Sequence, residues 1–172
     1  NITAATTTNS STLVGSGVYA ITGNAVINGA ITGVTNLSVS GTTSIGADIT
    51  TTGTQLYSGA TTLTVNTTLT TTNSDVTFSS TLNSNNGTAK TLTIAAGGGT
   101  VTMNGAVGGT NVLGATTITA STFTTGSSGT IAMGANALTI NTDAITIGAA
   151  ISGSSTLTIA PKTASTTIAL GS

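Results

Sequence analysis

The chain has no cysteine, histidine, tryptophan, arginine or glutamate, and only one proline, in 172 residues. Each absence removes a class of chemistry. Without Cys there is no disulfide, so stability must come from packing and hydrogen bonds. Without His or Cys, no Ser or Thr has the customary base beside it, and nucleophilic catalysis has no machinery. Lys90, between Ala89 and Thr91, and Lys162, between Pro161 and Thr163, read as solvated rather than as buried bases. Metal sites need clusters of Cys, His, Asp or Glu. Asp48, Asp75 and Asp143 stand far apart, and each reads as a corner residue bonded to local backbone N–H groups. No metal, cofactor or catalytic residue is expected.

Charge is as scarce as reactive groups. Charged residues make up 3% and aromatics 2% of the chain, against roughly 25% charged residues in an ordinary globular domain. The net charge is −1, with two Lys and no Arg. A surface that tracks phosphates needs clustered Lys or Arg, so nucleic acid is excluded as a partner. No apolar run approaches the ~20 residues that span a bilayer as a helix. The aromatic girdles of a transmembrane barrel are missing too, so membrane insertion is not expected. Gly97-Gly98-Gly99 is followed by no Lys-Ser/Thr and reads as a turn, not a phosphate loop.

What is present is threonine, at 45 positions, with Gly, Ala, Ser and Asn supplying much of the rest. Disordered chains are charged and poor in β-branched residues. Here Thr, Val and Ile dominate, and these fit a pleated surface. Helix is disfavoured, because no segment shows a 3.6-residue apolar period and Thr and Gly are poor helix formers.

The chain is organised around Val101-Thr102-Met103-Asn104-Gly105-Ala106-Val107, which alternates apolar and small polar residues at a period of two. Residues 25–31, 76–82 and 145–151 repeat the pattern. Aligned on it, the third position reads Ile27, Phe78, Met103, Ile147 and the seventh reads Ile31, Leu82, Val107, Ile151. These eight residues are the expected core ladder. The fifth position is always small: Gly29, Ser80, Gly105, Ala149. A second unit, Leu-Thr-Val/Ile and its variants, begins at Leu37, Leu63, Leu92, Leu138 and Leu157. Its intervals are uneven, and the one from Leu92 to Leu138 is close to double the others. Thr117-Ile118-Thr119 falls inside that longest interval as a degenerate copy.

Together the units predict an all-β parallel β-solenoid of about seven coils, each of roughly 19–29 residues, in one domain over 1–172. Val, Ile and Leu are expected to stack inside and Thr outside. A β-sandwich is the rival fold, but it leaves the recurring seven-residue pattern unexplained. The start, Asn1 to Ala5, has neither a basic segment nor an initiating Met and reads as a mature or excised piece of something longer.

Residues 101–110, residues 51–60 and the tail from Leu157 to Thr163 resemble the repeats of filamentous-haemagglutinin-like large exoproteins, which are bacterial secreted adhesins. The likeness runs from about Val18 onward and is less clear over 1–17. It implies a right-handed parallel β-helix, export to the bacterial cell surface or beyond, and a role in adhesion, biofilm or matrix. It implies no catalytic residues.

The leading expectation is therefore a structural extracellular filament or adhesin shaft. Its partners would be neighbouring coils or identical subunits stacked end to end. An alternative is an adhesin module gripping host-surface or matrix glycan or protein, although no aromatic or charged hot-spot cluster marks such a surface. A second alternative is an ice-binding solenoid, suggested by Thr50-Thr51-Thr52 and Thr70-Thr71-Thr72. The irregular coil length argues against a lattice-matched face. Asn-x-Ser/Thr sequons occur at Asn1, Asn9, Asn36, Asn66 and Asn86.

Overall fold

In a computed structural model, which describes residues 1–168, short strands wind into a parallel β-solenoid of about eight turns, with no helix among the described residues. The strands are short because Gly, Ser, Asn or Asp interrupts each apolar alternation after a few residues. One turn uses three of them: Asn36–Val39, Thr43–Ile45 and Ile49–Thr51. Each pairs in parallel with its counterpart one turn on, in Gln55–Tyr57, Thr61–Leu63 and Thr67–Thr71. Three ladders result, one for each face of the coil. Where the chain crosses a corner without breaking its pairing, two faces share one long strand, as in Val18–Ile27, Thr116–Thr125 and Leu138–Ile147.

The inward side chains form continuous columns. The first face stacks Ile21, Val39, Tyr57, Phe78, Met103, Thr125 and Ile147. The second stacks Ala25, Thr43, Thr61, Leu82, Val107, Ile131 and Ile151. The third stacks Leu13, Ile31, Ile49, Leu69, Ile94, Ile118, Ile140 and Ile159. Its rungs place the first and last of these residues about 34 Å apart at the usual strand spacing. Residues 1–17 belong to the same ladders, since Ile2–Asn9 pairs with Val18–Ile27 and Leu13–Val14 with Ile31–Val34.

The eight core-ladder residues divide. Ile27, Ile31, Phe78, Leu82, Met103 and Val107 are buried, and Ile151 is partly buried against the core. Ile147 is 39% exposed. Its exposure follows from the pairing: the last described strand, Leu157–Ala160, covers Leu138–Asn141 and stops short of it. The aligned columns also need correction. Phe78 and Met103 are true neighbours, and so are Leu82 and Val107. Ile27, however, stacks on the second face with Ile45 and Leu63, and Ile31 belongs to the third face.

The repeat length needs correction for the same reason. The early turns that carry Ile21, Val39 and Tyr57 advance 18 residues each, the separation of Asn24 from Thr42 and of Asn36 from Thr54. That is below the range read from the sequence. Later turns lengthen, and the one from Phe78 to Met103 takes 25 residues, the separation of Asp75 from Thr100 beside it. The Leu-Thr-Val/Ile unit gave longer intervals because its copies sit on different faces. Leu37 lies on the first, Leu63 on the second, and Leu92, Leu138 and Leu157 on the third. Thr117-Ile118-Thr119 does fill the gap, pairing with Thr93 to Ala95 on one side and Thr139 to Asn141 on the other.

Threonine is not confined to the outside. Thr43, Thr51, Thr61, Thr67, Thr71, Thr116, Thr125 and Thr142 are buried. Their β-branched side chains suit the pleat, and most find an acceptor for the hydroxyl at a nearby corner. Thr51 Oγ1 donates to the Gly53 carbonyl at 2.6 Å, Thr67 to Val65 at 3.0 Å, Thr116 to Gly114 at 3.0 Å and Thr142 to Ala144 at 2.8 Å. A buried hydroxyl so bonded escapes the cost of an unpaired one.

Candidate functional site

The polar side chains of this protein act between turns. All three aspartates accept backbone N–H groups, but from the next coil rather than from local residues. Asp48 Oδ1 accepts from Thr68 N at 2.7 Å and Asp75 Oδ1 from Thr100 N at 2.8 Å. Asp143 accepts twice, through Oδ1 from Thr163 N and through Oδ2 from Thr163 Oγ1, each at 2.7 Å. Asparagine does the same with its amide oxygen: Asn24 to Thr42 N, Asn36 to Thr54 N, Asn66 to Thr91 N and Asn73 to Gly98 N. These corner clamps satisfy N–H groups that the turn removes from the ladder. The sequence showed the corners but not their range, because the distance to the donor on the next coil varies from 18 to 28 residues.

The Thr163 bonds hold the Asp143 carboxyl below the usual carboxylate range, with Lys162 helping less. A depressed folded pKa favours the folded state above the unfolded value and loses that contribution as pH falls through the folded one. The window therefore lies below the ordinary 3.8. Carboxyl carbon NMR is expected to show Asp143 titrating below that value; titration at or above it would remove the clamp as the cause. Asp143→Asn supplies an amide oxygen in place of the carboxylate and should retain Thr163 N–H protection without the acid dependence.

A second polar group lies inside the coil. Gln55 and Tyr57 are both buried on the first face. Gln55 Nε2 donates to the Thr70 carbonyl at 2.9 Å, and Tyr57 donates its hydroxyl to Gln55 Oε1 at 2.9 Å. Burial pushes the Tyr57 phenol far above the usual tyrosine range, so it remains a neutral donor. Gln55→Leu strands the Tyr57 hydroxyl and should cost about 1–3 kcal/mol. Tyr57→Phe on that background should recover part of the loss in a denaturant double-mutant cycle. Strictly additive losses would show that the two side chains act independently. No periodicity in the sequence marks Gln55 as a core residue.

The outer surface carries the third arrangement. On the third face Thr68, Thr93, Thr117, Thr139 and Thr158 form an unbroken outward column. Beside it run Thr50, Thr70, Ala95, Thr119, Asn141 and Ala160. Both columns keep register although the turns between them differ in length, because the extra residues go into the corners. The sequons lie at unlike places. Asn36 and Asn66 are corner clamps, Asn9 donates to the Gly29 carbonyl, and Asn86 sits in an exposed loop.

Among the described residues no group of three or more His, Cys, Asp or Glu side chains could hold a metal ion. No helix among them is long and apolar enough to cross a membrane. Parallel ladders, corner clamps and stacked columns define the class: a parallel β-solenoid repeat protein. No protein-family model, curated protein or solved structure matches the chain.

Proposed function

We propose that this protein is a rigid extracellular shaft of the filamentous-haemagglutinin-like kind, with a mechanical rather than a chemical function. The observation that carries this reading is the use made of its polar side chains. Asn24, Asn36, Asp48, Asn66, Asn73, Asp75 and Asp143 each tie one coil to the next. Bonds of this kind stiffen the long axis and leave little charge free for recognition. Nearest-neighbour coupling is also what lets a solenoid extend without limit.

Both ends of the ladder present apolar side chains to whatever adjoins them. Ile2, paired with the inward Ile21, is 37% exposed at one end, and Ile147 and Leu157 are 39% and 46% exposed at the other. Such ends and their open strand edges suit continuation into further coils or stacking of copies. Electron microscopy of the chain and of a tandem fusion of two copies tests this. Rods that double in length with the fusion support a shaft. Two separate compact particles joined by a linker would sink it. The resemblance supports a shaft outside the bacterial cell; surface labelling of intact cells is the check.

The unbroken threonine column of the third face favours a second reading, an ice-binding surface. Its in-register rungs answer the objection from irregular coil length. A thermal-hysteresis assay on the wild type and on Thr117→Lys decides it. Activity lost in the variant would support this reading, and inactive wild type would dispose of it.

A further inference from the structure

Three asparagines are followed directly by glycine: Asn28-Gly29, Asn86-Gly87 and Asn104-Gly105. Such a pair holds the parts of an intramolecular reaction. The glycine nitrogen lies close along the chain to the side-chain amide carbon, and no Cβ screens its approach. The fold treats the three pairs differently. Asn28 and Gly29 both donate their backbone N–H groups to the Asn9 carbonyl, at 2.7 and 3.0 Å. Gly29 is also buried against the Ser11 backbone. Asn104 N donates to the Phe78 carbonyl at 2.9 Å and Val107 N to the Thr130 carbonyl at 2.8 Å. Gly105, between them, lies against the Ser80 backbone. Neither pair can turn its peptide without breaking bonds that tie one coil to another.

Asn86-Gly87 is free of these restraints. It lies in the turn between Leu82–Ser84 and Leu92–Ala95, and residues 86–88 are exposed. Asn85 N still donates to the Leu63 carbonyl at 2.8 Å, and Lys90 N donates to Ser84 Oγ at 2.9 Å. Between them, the backbone N–H groups of 86–89 make no hydrogen bond among the described residues. Gly87 has a φ of 112°, and open space surrounds the place a Cβ would take. The Asn86 side chain is held only by its oxygen, which accepts from Asn111 Nδ2 at 3.1 Å. Its own Nδ2, the leaving group of the reaction, is bonded to nothing among the described residues. The Asn111 N–H is thus already on the oxygen where negative charge develops as the amide carbon is attacked.

We propose that Asn86 is a site of spontaneous deamidation, selected from the three Asn-Gly pairs by the fold. The Gly87 nitrogen gives its proton to solvent and bonds to Asn86 Cγ. The Cγ–Nδ2 bond breaks, Nδ2 takes up a proton, and ammonia leaves a five-membered imide. Water then opens the imide at either carbonyl. One opening gives aspartate at this position, and the other gives isoaspartate, with the main chain running through the former side chain. Nothing is oxidised or reduced: an amide and a water become a carboxylic acid and ammonia. The added carboxylate takes the formal net charge from −1 to −2. In the aspartate product the bond from Asn111 becomes charge-assisted and stronger. In the isoaspartate product the turn gains a main-chain carbon. Either way, one turn of the coil acquires an irreversible acidic mark that accumulates with the age of the chain.

Ageing the full chain in mildly alkaline buffer made with heavy-oxygen water, followed by tandem mass spectrometry, tests the proposal. Label is expected at Asn86, as a mixture of aspartate and isoaspartate. It should appear there at least about tenfold faster than at Asn28 or Asn104, a factor equal to ~1.4 kcal/mol of barrier. In denaturant that difference should collapse, because the three pairs then share the same local chemistry. Gly87→Ala, in an exposed turn, should slow the reaction by about tenfold. Asn86→Gln keeps the amide but needs a six-membered ring, and should take up far less label with an unchanged thermal transition. An unlabelled Asn86 in the folded chain would overturn the proposal. So would equal conversion of the three pairs in the folded chain, or a rate at Asn86 unaffected by Gly87→Ala.

Discussion

Phe78→Ala is expected to lower the unfolding free energy by about 3–5 kcal/mol, read from denaturant midpoints. Phe78 is buried at the centre of the first face, with the Tyr57 ring stacked on it at 5.0 Å and 14°. Met103 occupies the rung beyond. In a globular core the neighbours would partly fill the space left by the ring. Here they cannot approach along the axis, because backbone ladders on either side fix the strand spacing at ~4.8 Å. The cavity stays open and the cost stays near the upper end for such truncations. Because each coil touches only its neighbours, the damage should also be local. Hydrogen exchange should accelerate in Gln55–Tyr57, Val76–Phe78 and Thr100–Met103 before it does so in distant turns. A loss below about 1 kcal/mol would mean that the coil closes around the gap.

Gly105→Val is the other large expected effect, and it acts through crowding instead of a void. Gly105 is the small fifth residue of the Val101 unit. A Cβ built there would collide with the backbone of Ser80 in the preceding coil. The obstacle is main chain, held by the bond from Asn104 N to the Phe78 carbonyl at 2.9 Å, so it cannot swing aside as a side chain could. Forcing a larger residue into a filled site costs about 1–3 kcal/mol, and rigid backbone puts this position at the top of that range. Gly109→Ala is the control. Its nearest neighbour would be the Ala106 methyl at 3.5 Å, an ordinary contact, so little change in midpoint is expected. Equal losses from the two substitutions would point to a backbone conformation that only glycine tolerates rather than to collision.

These two positions also show how far the sequence could be read. Period-two alternation in a Thr- and Val-rich chain announces strands, and its recurrence announces stacking, so the solenoid was visible. Phe78 over Met103 was visible too, because both fall at the same place in similar units. What alternation cannot convey is which of three faces a strand occupies. An inward–outward pattern looks the same on each, so Ile27 was aligned with Phe78 although it stacks on Ile45. The short early turn stayed hidden behind the longer intervals that result. Threonine added to the ambiguity, since its methyl suits the interior and its hydroxyl the exterior. Thr61 and Thr62 sit side by side with one buried and the other outward. Polar interior residues such as Gln55 carry no such pattern.

In every clamp where an Asn or Asp side chain accepts a backbone N–H from another coil, the acceptor lies on the earlier coil and the donor on the later one. The molecule is thus a template with a direction. At these corners a finished coil holds an amide or carboxylate oxygen ready for its successor, whereas a coil waiting for its predecessor offers the N–H. A chain emerging N-terminus first can wind as it appears, each turn ratcheted in place by the one before it. Winding from the other end would have the backbone ladder but not these corner acceptors.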